Sequence, residues 1–598
     1  MADSRKNCGS QNFGRSTRGL TWKVTEPNER SVLNIAQKLA IPEILATILC
    51  NRGIDNAEEA ELFLSPKIRS YMPNPFDLLD MEKASLRIAK GIMSGEKIAI
   101  FGDYDVDGAT STALLKRFFA SVDCDVTVYI PNRITEGYGP NIEAFKKLKD
   151  QGNTLIITVD CGMVSFEPIA YASEIGLDVI VLDHHLSLDV FPKAYAIVNP
   201  NRCDETFPHK SIAAVGVAFF TSVAIRSKLR ELSFFETRAE PDNIQLLDLV
   251  ALGTICDVMH LSGINRAFVA QGLKLINSRQ NVGLATLGNV ANLDSTIQSY
   301  HLGFILGPRI NAGGRIGEGL LGSELLSTND AGLAMEISLK LERLNDERRA
   351  IETVILESAI NRIEQNKLYE NPIIIISDSG WHQGILGIIA SRLKEKYSKP
   401  CAVISFDNGD AGKGSARSIP GIDMGSLLAQ AKSTGLLLQG GGHPMAGGFS
   451  VARDKLDEFC RYVYKILGNT DLLSLKIKDV AIDYILSLPA INGSLLAIIN
   501  RAAPFGSGNN QPKFMIKEVT IVDARIVGKF HIMFIVCDKK SDVSCTVKCM
   551  MFKVVDTEIG NALLNAVGKT VCVIGTLQAH YLDCNKADFI AEDISFYQ

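Results

Sequence analysis

Acidic and imidazole side chains close three apolar runs in the first half of the chain. Asp103, Asp105 and Asp107 follow the run Ile98–Phe101, Asp160 follows Leu155–Val159, and Asp183, His184 and His185 follow Asp178–Leu182. Carboxylates gathered that closely repel one another and resist ionisation unless a cation compensates them. The period-two spacing of Asp103, Asp105 and Asp107 lets their side chains lean to one side of an extended strand end. Carboxylates with one or two imidazoles suit Mn²⁺ or Mg²⁺ better than Zn²⁺. Two such ions about 3.5–4 Å apart activate a water and brace the leaving oxygen in phosphoryl-type displacement. Taken singly, an Asp after a strand is an ordinary helix N-cap and a His beside it an ordinary surface residue. The recurrence of the pattern favours the metal. Asp257, which ends the mostly apolar stretch Leu246–Cys256, adds a fourth acid that needs a cation or a donor if buried, with a cap for the following segment as the plain alternative.

The runs that must position these groups are rich in Ile and Val, as strands buried on both faces of a parallel sheet are. Helical patterns separate them, so a βαβ series with one parallel sheet is the economical arrangement, and ligands gather beyond the carboxyl ends of such strands. Between residues 330 and 368, Leu333, Ile337, Leu341, Leu344, Ile351, Ile355 and Ile360 recur near helical spacing. One continuous helix there would run to ~57 Å and bridge two domains. The run Pro372–Ile376 predicts a buried strand that opens a second α/β domain. Its chemistry lies in two small-residue loops, Gly412–Ser418 and Gly440–Gly447, where glycine lets backbone N–H groups approach a phosphate and Arg417 adds a bidentate clamp. Short alternating runs after residue 470, namely Lys513–Ile516, Lys529–Val536, Val547–Phe552 and Thr570–Ile574, predict a small barrel. Phe530, Phe534 and Phe552 either stack bases or fill its core.

A chain of 598 residues can build about three or four domains. Hydrophobic content of 46% and charged content of 22% fit a soluble globular protein. The net charge of −5 does not advertise nucleic-acid binding, which would need a locally basic groove. The first 24 residues lean basic without an apolar core and read as a flexible tail rather than a signal peptide. No run approaches 18 consecutive apolar residues, so no membrane span is expected. The 13 cysteines lack paired C-x-x-C spacing; Cys537, Cys545 and Cys549 come closest but read as strand or turn positions. Free thiols in a large chain point to the cytoplasm.

Gly102–Gly108, Val159–Gly162, Asp183–His185 and Gly253–Asp257 form an ordered series with Pro131–Arg133, Glu136–Gly139, Gly307–Arg315, Gly380–Gly384, Gly414–Ser418 and Gly440–His443. By that series the chain resembles the RecJ family of the DHH phosphoesterase superfamily, single-strand-specific 5′→3′ DNA exonucleases. The resemblance implies an α/β protein with two α/β domains, DHH and DHH-associated, joined by a long helix, plus a C-terminal OB-fold β-barrel. The implied divisions are an N-terminal tail and lead-in segment over 1–74, the DHH domain over 75–325, the connecting helix over 326–370, the DHH-associated domain over 371–465 and a single-strand-binding OB-fold over 466–598. It implies two Mn²⁺ or Mg²⁺ ions held by Asp105, Asp107, Asp160, His184 and Asp257, with Asp160 the bridge. Asp103 and His185 follow as further ligand, transition-state stabiliser or support. Some DHH phosphoesterases carry a His two residues before the position of Asp103, where this chain has Phe101; Asp103 is the natural substitute. Ser415, Arg417, His443 and Arg133 are implied to bind substrate phosphate, and Arg315, with Arg309, either tracks the strand's backbone or serves the fold. Trp381 and His382 support the cleft, or Trp381 sits in a core. The implied reaction is hydrolysis of single-stranded DNA from its 5′ end without a protein nucleophile, in recombinational and mismatch repair. Single-strand-binding protein and a RecQ-type helicase are the implied partners, and the monomer the implied state. A small-substrate phosphoesterase would have no evident use for the barrel, and a silent scaffold would have lost its ligands.

Overall fold

The computed structural model describes residues 16–406, 409–468, 479–538, 545–580, 583 and 585–596. The chain divides into two compact units, one formed by residues 73–259 and 271–476, the other by residues 1–72, 260–270 and 477–598.

In the first unit, the strands Ile98–Gly102, Val126–Tyr129, Leu155–Val159, Asp178–Leu182 and Ala196–Val198 form one wholly parallel sheet, with Ile98–Gly102 between Val126–Tyr129 and Leu155–Val159. Their runs of Ile and Val are continuous because the sheet is covered on both faces, and Ile98–Gly102 and Leu155–Val159 are buried at every residue. The helix Val106–Ala120 begins four residues past the end of the first of these strands. Its close return leaves no room for a side chain at position 108, where a Cβ would lie 2.4 Å from the Asp103 carbonyl oxygen; only glycine fits.

The expected long helix is present as Ala331–Gln365, 35 residues capped by the Asp330 side chain, which accepts from the N–H groups of Gly332 and Leu333. It leads to a second sheet, in which Ile374–Asp378 and Cys401–Ser405 run parallel. Ala411–Arg417, Ala446–Ala452 and Gln439–His443 follow antiparallel. Trp381 is a core residue here, packed with Ile376, Leu386 and Ile389.

In the second unit, Phe514–Val527, His531–Cys537, Thr546–Met551, Ala587–Phe596 and Thr570–Ala579 close into a barrel through the pairing of Phe514–Thr520 with Thr570–Gly575. Of the three aromatics noted above, Phe534 is core, whereas Phe530 and Phe552 are exposed. Residues 21–24, expected in a flexible tail, instead form the strand Thr21–Val24 paired with Asp479–Ile482, and Ser16 bridges to Ser595. The apolar alternation of Trp22 and Val24 earns that strand a core against Met515 and Ile574. Residues 1–15 lie outside the described set. The helices Glu29–Leu39 and Glu43–Asn51 share the barrel's core, with Ile35, Leu45 and Ile48 in one cluster with Ile499, Phe514 and Phe534. No helix among the described residues is long and apolar enough to cross a membrane.

Candidate metal centre

Each acid of the centre is placed by the end of a regular element. Asp105 is the N-cap of Val106–Ala120 and accepts from Gly108 N at 3.0 Å, so the ordinary capping role and the site role coincide. Asp107, in the first turn of that helix, accepts from the N–H groups of Ala214 and Val215 at 2.7 and 2.9 Å, at the start of the helix Ala214–Glu231. Those bonds fix its carboxylate and favour its charge. Asp160 ends Leu155–Val159 in left-handed backbone, φ 60°, a conformation that Asp tolerates better than most residues. Tyr138 donates to its carbonyl oxygen at 2.9 Å. Asp257 ends the helix Leu247–Cys256.

These groups converge. His184 Nε2 lies 3.2 Å from Asp160 Oδ1, 3.6 Å from Asp257 Oδ2 and 3.7 Å from Asp107 Oδ2. Three sets of possible ligand atoms, Asp107 with His184 and Asp257, Asp103 with Asp105 and Asp160, and Asp160 with His184 and His185, each fall within 4.8 Å. Asp160 and His184 each belong to two of the three.

The electrostatics call for a cation. Burial, reinforced by the charge of Asp105, raises Asp103 and Asp160 well above the usual carboxylate range. Burial and the neighbouring acids push Asp107 up to about 7 and Asp257 up to about 8. Asp103 Oδ1, Asp160 Oδ1 and Asp257 Oδ2 are buried without a hydrogen-bond partner, which is costly for a carboxylate. Burial lowers His184 to about 4, so its imidazole is neutral and offers a lone pair. Orphaned carboxylate oxygens around a neutral imidazole are the donor set of a hard divalent ion.

His185 is built differently. Its Nδ1 is 2.7 Å from Asp183 Oδ1, and Asp183 also accepts from the N–H groups of Met163, His184 and His185. Burial opposes ionisation of Asp183, yet the bond and charge of His185 hold it down to about 2. Burial likewise works against charge on His185, but the Asp183 carboxylate outweighs it and raises the ring to about 9. Asp183 is therefore saturated by donors and orients His185 rather than joining the ligand set. Asp183 and Tyr138 both fall within motifs of the ordered series without a role of their own there, because their roles rest on hydrogen bonds between separated segments.

The phosphate-binding candidates lie in and around a cleft of about 330 Å³ whose lining includes Tyr104, Arg133, Gly387, Lys413 and Ser415. The Arg133 guanidinium sits 5.0 Å from the Tyr104 ring centroid. Ser415 and Arg417 share one face of their strand, and Arg417 donates to Ser415 Oγ at 3.1 Å. Both press on the start of the helix Leu386–Tyr397, where a Cβ at Gly387 would lie 2.7 Å from Arg417 Nη2. A helix start beside a guanidinium and a hydroxyl suits a phosphate. Arg315 donates to the Gly384 carbonyl at 3.1 Å; burial and Arg133 lower it to about 10, so it holds the cleft wall and adds positive potential. Arg309 is bound to Glu342 and serves the fold. His443, on the hairpin of the second sheet, stacks over His185 with centroids 6.4 Å apart and planes 18° apart, joining cleft and metal centre.

Residues 97–254 match the model of the DHH family, N-terminal domain, residues 370–469 that of the DHHA1 domain and residues 482–587 that of the RecJ OB domain. The single-stranded-DNA-specific exonuclease RecJ of Haemophilus influenzae is 36% identical over 527 residues, covering 86% of this chain and 90% of the relative. That of Bacillus subtilis is 34% identical over 530 residues, covering 88% of this chain and 65% of the relative, so the chain spans about two thirds of that protein's length. The crystal structure of RecJ in complex with Mn²⁺ from Thermus thermophilus superposes with a TM-score of 0.79 at 27% identity, over 96% of this chain and 80% of that one. With its three domain types in order and a relative matched along nine tenths of its length, the chain belongs to the RecJ family.

Proposed function

We propose that the chain is a divalent-metal-dependent exonuclease that shortens single-stranded DNA from its 5′ end. The observation that carries this reading is the set of buried, unpartnered oxygens on Asp103, Asp160 and Asp257, the last two facing the neutral imidazole of His184, next to a basic cleft. Asp103, Asp105, Asp107, Asp160, His184 and Asp257 would hold two Mn²⁺ or Mg²⁺ ions. When bound, these supply Lewis acidity at the scissile phosphate and an activated water.

The chain's own residues do the rest. Arg133, Ser415, Arg417 and His443, with Arg315 behind them, bind the terminal phosphate of the strand, and the fixed spacing between cleft and centre measures off the bond to be cut. Asp183 holds a proton on Nδ1 of His185 and so orients the ring, which stabilises charge at phosphorus or hands a proton to the leaving oxygen. A cleft of about 330 Å³ admits the end of one strand, not a duplex. The division of labour follows the expected segments: catalysis over 75–325, the connecting helix over 326–370, phosphate capture over 371–465 and strand binding over 466–598. On this reading the enzyme is a cytoplasmic monomer of DNA repair and recombination that works with single-strand-binding protein and a RecQ-type helicase.

The test is digestion of single strands labelled at either end, with and without a 5′-phosphate, in Mn²⁺ or chelator. Metal-dependent shortening from the phosphorylated 5′ end, with a blunt duplex resistant, is the expected outcome. Attack from the 3′ end, or faster turnover of pyrophosphate or a cyclic dinucleotide than of any strand, would refute the reading.

A further inference from the structure

Two aromatic rings stand in solvent on a segment packed against the helix that ends at Asp257. Tyr300 and Phe304 are 60% and 67% exposed, yet they stack on each other with centroids 5.0 Å apart and planes 24° apart. Single exposed apolar side chains are ordinary, but two large rings stacked on each other in solvent form a contiguous patch of the kind that marks an interaction site. Residues four apart share one helix face, and Tyr300 and Phe304 do so where the short helix Ser299–His301 runs into the π-helical turn Leu302–Leu306. Such turns are uncommon and cluster at functional sites.

The turn is fastened to the element that carries Asp257. Cys256 donates to the Leu302 carbonyl with sulfur and oxygen 3.5 Å apart. A Cβ at Gly307 would lie 2.6 Å from Cys256 Sγ, and one at Gly303 would touch Ile255 at 3.4 Å. The ring pair therefore rides on the last turn of the helix that ends at the proposed metal ligand. Val258, the next residue, is 69% exposed and held at φ 57°, an outlier for a β-branched side chain of the kind found at functional positions. Exposed apolar side chains thus occur both next to Asp257 in the chain and on the turn packed against its helix. Neither ring lines the cleft that holds Arg133 and Ser415. Arg309, the nearest Lys or Arg in sequence, is occupied by Glu342.

We propose that Tyr300 and Phe304 form a stacking platform for a nucleobase of the single strand, one whose phosphates are engaged at the metal centre but whose base lies outside the phosphate cleft. The proposal rests on the exonuclease reading. A base offers a flat π-face to such a platform whatever its identity, so the contact grips a strand without reading its sequence. A base paired and stacked within a duplex cannot present that face, so the platform also selects for single strands.

The experiment uses the full chain and a short 5′-phosphorylated strand carrying one abasic nucleotide, moved along it position by position. Binding and KM are measured for the parent, Tyr300→Ala/Phe304→Ala, Phe304→Leu and Phe304→Trp. In the parent, abasic substitution at one or two adjacent positions should weaken binding. The double variant should bind the intact strand roughly 5- to 150-fold more weakly and be indifferent to abasic nucleotides at those positions. Phe304→Leu should lose affinity and Phe304→Trp keep it. The salt dependence of binding should not change, because no phosphate contact is removed, and thermal stabilisation by Mn²⁺ should match the parent's. A double variant that binds and cuts like the parent, or an abasic penalty that persists in it, overturns the platform. An altered response to Mn²⁺ also counts against it, as the effect would then pass through Asp257. Failure of the parent to cut any single strand in Mn²⁺ overturns instead the reading beneath.

Discussion

Replacing Asp257 by Asn tests whether the acidic cluster is held together at a cost that only a cation relieves. The substitution keeps the shape of the side chain and deletes one charge. Burial and the charges of Asp107 and Asp105 raise Asp257 from its ordinary 3.8 to about 8. A group whose folded value lies above its unfolded one contributes stability that is fully present below the unfolded value and is lost as pH rises through the folded one. The metal-free parent should therefore weaken progressively between pH 4 and pH 8. At about 1.36 kcal/mol for each pH unit, the interval bounds the penalty at about 6 kcal/mol. Asp107 and Asp160 share the same field and would reionise once Asp257 is gone, so one substitution should recover roughly half, about 3 kcal/mol. Differential scanning calorimetry on chelated protein should show the melting of the metal-bearing unit rise by several degrees in Asp257→Asn at pH 8.5, with no gain at pH 4. Mn²⁺ should reverse the order, because it stabilises the parent in proportion to its affinity and the variant lacks a proposed ligand. An Asp257→Asn protein no more stable than the parent at pH 8.5, and equally responsive to Mn²⁺, would refute the argument.

Asp183→Asn should release His185, letting it fall from about 9 towards the ordinary imidazole value; the alkaline limb of the cleavage profile should move to lower pH by one to two units, about what the loss of a buried carboxylate partner allows. Arg417→Ala should raise KM for 5′-phosphorylated strands by roughly tenfold to a hundredfold, the worth of a charge-assisted contact, while Mn²⁺ binding measured by calorimetry stays unchanged. Phe530→Ala with Phe552→Ala, both exposed on the barrel, should weaken gel-shift binding of long strands and spare short ones; equal loss on both would show that the rings serve only the barrel.

Much of the candidate metal centre is legible in the sequence because its parts sit where local rules put them. Strands buried on both faces must be continuous apolar runs, and the acids follow their carboxyl ends, so Asp103, Asp105, Asp107, Asp160 and His184 group together in the sequence, although Asp105 and Asp107 belong to the start of the helix Val106–Ala120 and not to an extended strand end. Asp257 was legible as an acid ending an apolar stretch, though not whether that stretch is helix or strand; it is a helix. What escaped depends on contacts between distant segments. The saturation of Asp183 by Met163 and His185, the bond from Tyr138 to Asp160 and the binding of Arg309 to Glu342 leave no periodic trace. The same limit hid the partnership of the first helices with the barrel. Nothing in the amphipathic pattern of Glu29–Leu39 says that its apolar face meets Phe514 and Phe534.

That partnership sets the timing of folding. The second unit is assembled from three separated pieces of chain, and the buried Arg266 guanidinium ties all three, donating to carbonyls of Phe63, Ala502, Ala503 and Pro504. On the ribosome, the helices before residue 72 emerge well ahead of the barrel that completes their core. With about 400 residues between them and synthesis at about 5–20 residues per second, the apolar faces of those helices wait roughly 20–80 s for their partner. Through that interval they are open to chaperones, to proteases and to other nascent chains on the same message. A ribosome that stalls late leaves a fragment whose N-terminal helices have no core to join.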